Sequence, residues 1–144
     1  IDDADAGAPP SVDLAVERQN GDFVRGLIEN AEISACHDIS DGGLLVALAD
    51  MALAGNRGIE IEVPDDLPQH AALFGEDQAR YIVSCSAHFA AQLIIKAGNA
   101  NIAAKHVGIV TGKALKLSED CAISLATLRE AHENWLPDFM SPDD

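Results

Sequence analysis

In HDISDGGLL, residues 37–45, two kinds of chemistry compete for one short stretch. A glycine pair opening a helix suits an anion, because the first backbone N–H groups have no intrahelical partner and the helix dipole is positive there. Gly42 and Gly43 also carry no Cβ to keep a phosphate away from the backbone. Yet Asp38 and Asp41 bring carboxylates to the same end. A divalent cation resolves the conflict, since Mg²⁺ takes few carboxylates together with phosphate oxygens and water. Asp38 would hold the ion, Ser40 would hydrogen-bond the phosphate, and Gly42 and Gly43 would admit it. The plainer reading stays open: Ser40 or Asp41 caps the helix, worth about 0.5–2 kcal/mol, and Asp38 makes a polar turn. His37 either orients a neighbour or packs, and a lone histidine beside an apolar run is more often structural.

A second cluster lies in LFGEDQARYIVSC, residues 73–85, where Gly75 introduces Glu76, Asp77, Gln78 and Arg80 just before a strand-like run. Acceptors and a donor at a strand entrance can bind a polar ligand or a metal. Charged turns are common, so the bland reading is a solvated loop.

These residues need elements to position them. Residues 1–10, acidic with Gly and Pro, read as a linker or lead-in, and the domain spans 11–140 with a short tail at 141–144. Ser11 is a candidate cap for a helical pattern through Leu14, Val16, Phe23, Val24, Leu27 and Ile28, broken at Asn20-Gly21 into one helix or two pieces. ISAC, residues 33–36, reads as a short strand delivering the chain to His37, and LLVALADMALA, residues 44–54, as a largely buried helix stopped by Gly55. GIEIEV alternates as a strand with one wet face; PDDLP turns the chain; ARYIVSC is a further strand. Ser86 then caps a helix closed by Gly98. HVGIVTG and KALKLS read as consecutive strands, and Ser124 caps a last helix that Pro137 stops. The fold expected is α/β of the α+β kind: a mixed, largely antiparallel sheet flanked by helices.

Composition narrows the function. The 144 residues suffice for one substantial core, built from aliphatic residues because aromatics are only 4%. A net charge of −15 argues against nucleic acid, whose phosphates need basic partners, so an anionic ligand needs a cation or a helix end. Cys36, Cys85 and Cys121 form no C-x-x-C pair and suggest neither zinc nor a disulfide framework. No stretch has the length of a membrane span and no signal peptide is written, so a cytoplasmic location is expected. The chain opens on Ile1 and not Met, which suggests a piece of something longer.

Taken together and in order, GAPPSVDLAVERQNGDFVRGLI, HDISDGGLLVALADMALAG, LFGEDQARYIVSC, VGIVTG and HENWLPDFM resemble the C-terminal end of the large synthetase subunit in the phosphoribosylformylglycinamidine synthase family. The resemblance covers nearly all of residues 7–140 and extends to the C-terminal domain of aminoimidazole ribonucleotide synthetase. It implies the last domain of a longer ligase that uses ATP and glutamine-derived ammonia to amidate formylglycinamide ribonucleotide in purine biosynthesis. It also implies partners: upstream domains of the same chain, a glutaminase subunit and a small accessory subunit. Asp38 matches a magnesium ligand and Ser40 a nucleotide contact of an auxiliary Mg²⁺–ATP/ADP site. Catalytic residues are expected upstream, none here. In the related turn E-S-Q of the family's earlier half, which contacts substrate, a Ser stands where this chain has Asp77; that departure leaves the roles of Glu76, Asp77 and Gln78 open. Two alternatives remain. One is a non-catalytic nucleotide-binding or assembly domain, the other a relative such as selenophosphate synthetase or thiamine monophosphate kinase.

Overall fold

Side-chain periodicity and end-caps account for most of the elements in the computed structural model, which describes residues 11–63 and 67–141. The lead-in 1–10, most of the PDDLP turn and residues 142–144 lie outside them. The order is α1 (Leu14–Glu29), β1 (Ala35–Asp38), α2 (Gly43–Gly55), β2 (Ile59–Ile61), α3 (Gln69–Phe74), β3 (Tyr81–Ser84), α4 (Ala87–Asn99), β4 (Gly108–Val110), β5 (Ala114–Ser118), β6 (Cys121–Ser124) and α5 (Leu125–Met140). The α/β class holds, with the strands divided between two sheets. The chain forms two compact units, one from residues up to Ala47 plus Leu73–Lys105, the other from Leu48–Ala72 plus His106 onward.

In the first unit, α1 is one uninterrupted helix despite Asn20-Gly21. Its cap is Asp13 and not Ser11: Asp13 Oδ1 accepts from the N–H of Ala15 at 2.9 Å and of Val16 at 3.2 Å. Tertiary contacts outweigh the weak local propensity of the Asn-Gly pair. The Asn20 side chain donates to the Ala79 carbonyl at 2.8 Å, and a Cβ at Gly21 would meet the Tyr81 hydroxyl at 3.4 Å. β1 and β3 pair antiparallel, with Ala35 opposite Ser84 and Asp38 opposite Tyr81. The strand expected at 33–36 is therefore shifted two residues later, to Ala35–Asp38, and carries His37 and Asp38 within it. α4 follows Ser86, whose side chain makes no cap bond, and runs through Gly98 to Asn99. Leu27, Leu44, Ala47, Leu73, Ile82, Leu93 and Ala97 are buried.

Three helices end alike. After α1, Ala31 N donates to Ile28 O and Glu32 N to Leu27 O; after α2, Asn56 N donates to Leu53 O and Arg57 N to Ala52 O; after α4, Asn101 N donates to Gly98 O and Ile102 N to Ala97 O. These are Schellman pairs, which satisfy orphan carbonyls through one left-handed residue. Ala31, Asn56 and Asn101 take that conformation at φ 54°, 49° and 57°. Gly55, expected to stop α2, is instead its last helical residue.

In the second unit the sheet order is β4-β2-β5-β6. β4 and β5 are consecutive in sequence but do not form a hairpin. β2 lies between them, antiparallel to β4 and parallel to β5, with Ile59 opposite both Val110 and Leu115. Gly58 allows the convergence: a Cβ there would lie 2.5 Å from the Ala114 backbone. Ile59, Ile61 and Leu115 are buried, while Glu60 is exposed, as the alternation predicts. The edge strand β6 was not expected from sequence, since all four of its residues are exposed and carry no burial alternation. Ser124 caps α5 as expected, its Oγ accepting from Thr127 N at 3.0 Å. Pro137 does not stop α5. The helix continues to Met140 with Pro137 opening its last four residues, where the proline forgoes one N–H bond and its ring crowds the carbonyl four residues back. No helix of the described residues is long and apolar enough to cross a membrane.

Candidate functional site

Four residues, 39–42, separate the end of β1 from the start of α2, and this turn carries the first cluster. Ile39 N donates to Arg80 O at 2.9 Å, continuing the β1–β3 pairing and holding residues 39–42 over the entrance to β3. Gly42 and Gly43 both have positive φ, 79° and 70°. They are glycine for the turn and for space: a Cβ at Gly43 would lie 2.6 Å from the Phe74 carbonyl carbon.

Both glycine N–H groups are engaged within the protein. Gly43 N donates to Ser40 O at 3.0 Å, and Gly42 N donates to Glu76 Oε1 at 2.8 Å. The α2 entrance is therefore served by a carboxylate from the second cluster. Among the described residues, no side-chain bond from Ser40 or Asp41 caps α2. A charge-assisted bond to a helix N-terminus is among the stronger capping arrangements. Glu76 thus joins the two sequence clusters physically.

The geometry around them is polar. Asp38, Ser40 and Asp41 line a cleft of about 180 Å³ together with Glu76, Gln78, Arg80, Glu17 and Tyr81. Gly42, Gly43 and Asp77 are not among the lining residues. Asp77 approaches Arg80, Oδ2 to Nη1 at 3.6 Å, while the same Nη1 donates to Gly75 O at 3.2 Å. His37 Nδ1 donates to the Asp38 carbonyl at 2.6 Å, which places that ring proton on Nδ1 and ties the histidine to the backbone.

Glu17 and Tyr81 were not singled out from the sequence. Glu17 sits in the first turn of α1, where an acidic residue reads as a complement to the helix dipole. Nothing local says that α1 lies over the entrance to β3. Tyr81 reads as a strand aromatic, and only the antiparallel register places it opposite Asp38.

Four carboxylates and one guanidinium give the cleft a negative field. The Tyr81 phenol is pushed above its ordinary range, first by burial, then by Glu17, Asp38 and Cys36. The Cys36 thiol is also raised, by burial and then by Asp38. Tyr81 is therefore a hydrogen-bond donor at neutral pH. The described residues hold no group of three or more His, Cys, Asp or Glu side chains arranged to take a metal ion by themselves. The donor set suits instead an ion that brings its own oxygen ligands: Asp38 is well exposed to the cleft side, and Glu17 Oε2 is buried without a hydrogen-bond partner. Magnesium held by a carboxylate, phosphate oxygens and water fits that description.

Comparison with known proteins gives the family and the fold. Residues 2–118 match the family described as AIR synthase related protein, C-terminal domain. The chain is 51% identical over 137 residues to the phosphoribosylformylglycinamidine synthase subunit PurL of Methylocella silvestris, covering 95% of this chain and 19% of that one. It therefore spans about a fifth of that relative's length. In fold it is similar to a Thermotoga maritima phosphoribosylformylglycinamidine synthase II, with a TM-score of 0.72 at 18% identity over 83% of this chain and 22% of the other. It is also similar to T. maritima PurL complexed with ATP, with a TM-score of 0.67 at 18% identity over 77% of this chain and 21% of the other. With the family match running over most of its length, the chain belongs to the AIR synthase related proteins, as their C-terminal domain.

Proposed function

We propose that this chain is the C-terminal part of a phosphoribosylformylglycinamidine synthase and contributes half of an auxiliary Mg²⁺–nucleotide site. The parent enzyme would carry out the ATP- and glutamine-dependent amidation of formylglycinamide ribonucleotide, with its catalytic residues in upstream domains. The 144 residues alone would have no turnover. A glutaminase subunit, a small accessory subunit and the upstream domains of the chain are the partners this reading needs, in the cytoplasm.

The observation that carries it is the shared cleft, where Asp38 and Ser40 meet Glu76 and Gln78 from a second segment. Asp38 would hold Mg²⁺, which when bound neutralises phosphate charge. Ser40 would donate to a phosphate oxygen. Gly42 and Gly43 would serve by shaping the turn that carries Asp38 and Ser40, since their N–H groups already have partners and the places of their missing Cβ atoms face Val46 and Phe74. The phosphate would thus lie on the outer side of the turn, beyond the reach of those two amides.

The test uses the intact synthase. Mg-ADP should raise its melting temperature, and Asp38→Ala should abolish that gain while leaving the nucleotide-free melting temperature close to wild type. A gain that survives Asp38→Ala would remove the site from this turn. Assay of the isolated 144 residues with ATP, formylglycinamide ribonucleotide and ammonium should give no product.

A further inference from the structure

Glu17 Oε2 is the one buried side-chain oxygen or nitrogen of the described residues that lacks a hydrogen-bond partner. A carboxylate oxygen taken from water and left unpaired is costly, and such a group in a folded protein calls for a missing ligand, water or ion. Glu17 lines the same cleft as Asp38, approaching it from α1 while Asp38 comes from the end of β1. Arg80, the cleft's single cationic side chain, does not answer it: its Nη1 is directed to Gly75 O and Asp77. Tyr81, opposite Asp38 in the β1–β3 register, lines the same cleft between the two carboxylates' elements.

We infer that Glu17 is a second carboxylate of the divalent-cation seat, facing the ion that Asp38 holds and fixing its position before the nucleotide arrives. This rests on the nucleotide reading above and adds to it a residue from a different element. Two carboxylates on separate elements leave an octahedral ion enough open positions for phosphate oxygens and water. Loss of a group that only supports a metal ligand characteristically costs about 10–100-fold in metal affinity, so loss of a carboxylate facing the ion itself should cost about 10-fold or more. The pairing also gives the orphaned oxygen a partner.

The experiment is a Mg²⁺ titration of ADP binding to the intact synthase, followed by calorimetry, with melting temperatures measured in the absence of nucleotide. Glu17→Gln should raise the Mg²⁺ concentration for half-maximal ADP binding by about 10-fold or more, with ADP affinity recovering at saturating Mg²⁺. Glu17→Asp, which keeps the charge, should fall between wild type and Glu17→Gln. In EDTA, Glu17→Gln should melt no lower than wild type, because an unpaired charge has been removed. An unchanged Mg²⁺ dependence in Glu17→Gln, alongside loss of Mg-ADP binding in Asp38→Ala, would overturn the inference and leave the nucleotide reading standing. A lower melting temperature in EDTA with the Mg²⁺ midpoint unmoved would make Glu17 structural and would also overturn it. Mg-ADP binding that survives Asp38→Ala would overturn both.

Discussion

Tyr81 is the only tyrosine in the chain, so its phenol can be titrated by absorbance without interference from another. Burial and the nearby carboxylates of Glu17 and Asp38 raise its pKa in the folded state above the ordinary value of 10.0. The unfolded chain loses that proton first. The associated stability is fully present below pH 10.0 and is lost as pH rises through the folded pKa. The phenolate band should therefore appear at higher pH in buffer than in denaturant, and Glu17→Gln should narrow the difference; coincident midpoints would contradict the geometry of the cleft. At this scale the sequence was half legible. Asp38 and Ser40 stand out because their spacing before a glycine pair has chemical meaning on its own. Glu17 and Tyr81 do not, because each looks ordinary within its element and gains meaning only from what lies opposite. The capping role of Glu76 was hidden for a related reason: its acceptor oxygen serves an amide 34 residues away.

Helix ends supply the test at the next scale. The Schellman turns after α2 and α4 put asparagine at the left-handed position, which tolerates it, whereas the turn after α1 uses Ala31 at φ 54°. A left-handed conformation costs an alanine about 1–2 kcal/mol, and glycine loses about 0.5–1 kcal/mol through its more mobile unfolded state. Ala31→Gly should thus stabilise the chain by about 0.5 kcal/mol in urea unfolding, while Asn56→Gly should be closer to neutral. A loss of stability in Ala31→Gly would mean that the Ala31 methyl makes a contact worth more than the strain. The same turns explain which boundaries sequence reading moved. Glycine as a stop signal points to Gly55 and Gly98, yet the left-handed residues that close the turns are Asn56 and Asn101. The strand order of the second unit was likewise illegible, because β2 lies between two strands that follow it much later in the chain. Alternation marks β2, and HVGIVTG and KALKLS read as strands in their own right, but none of these signals carries information about neighbours.

For the molecule as a whole, 24 acidic against 9 basic residues leave a net charge of −15, and self-repulsion opposes the compact state. Raising NaCl from about 10 mM to about 500 mM, which shortens the screening length from about 30 Å to a few ångströms, should raise the melting temperature. A flat or falling response would show that local ion pairs, such as Lys116 with Glu119 and Glu60, outweigh the net repulsion. Composition did signal the need for imported positive charge, but not where the need is sharpest. The contact of Glu76 with Gly42, and the bare approach of Gly43 to Phe74 and Gly75, bear on how such a chain can change over generations. HDISDGGL and LFGEDQARY are distant words in the sequence, yet each is the other's wall. A side chain added at Gly43 has nowhere to go unless the facing backbone retreats, and a shorter acid at position 76 leaves an amide without its partner. Drift in either segment is thereby policed by the other, so the two should be inherited as a single word.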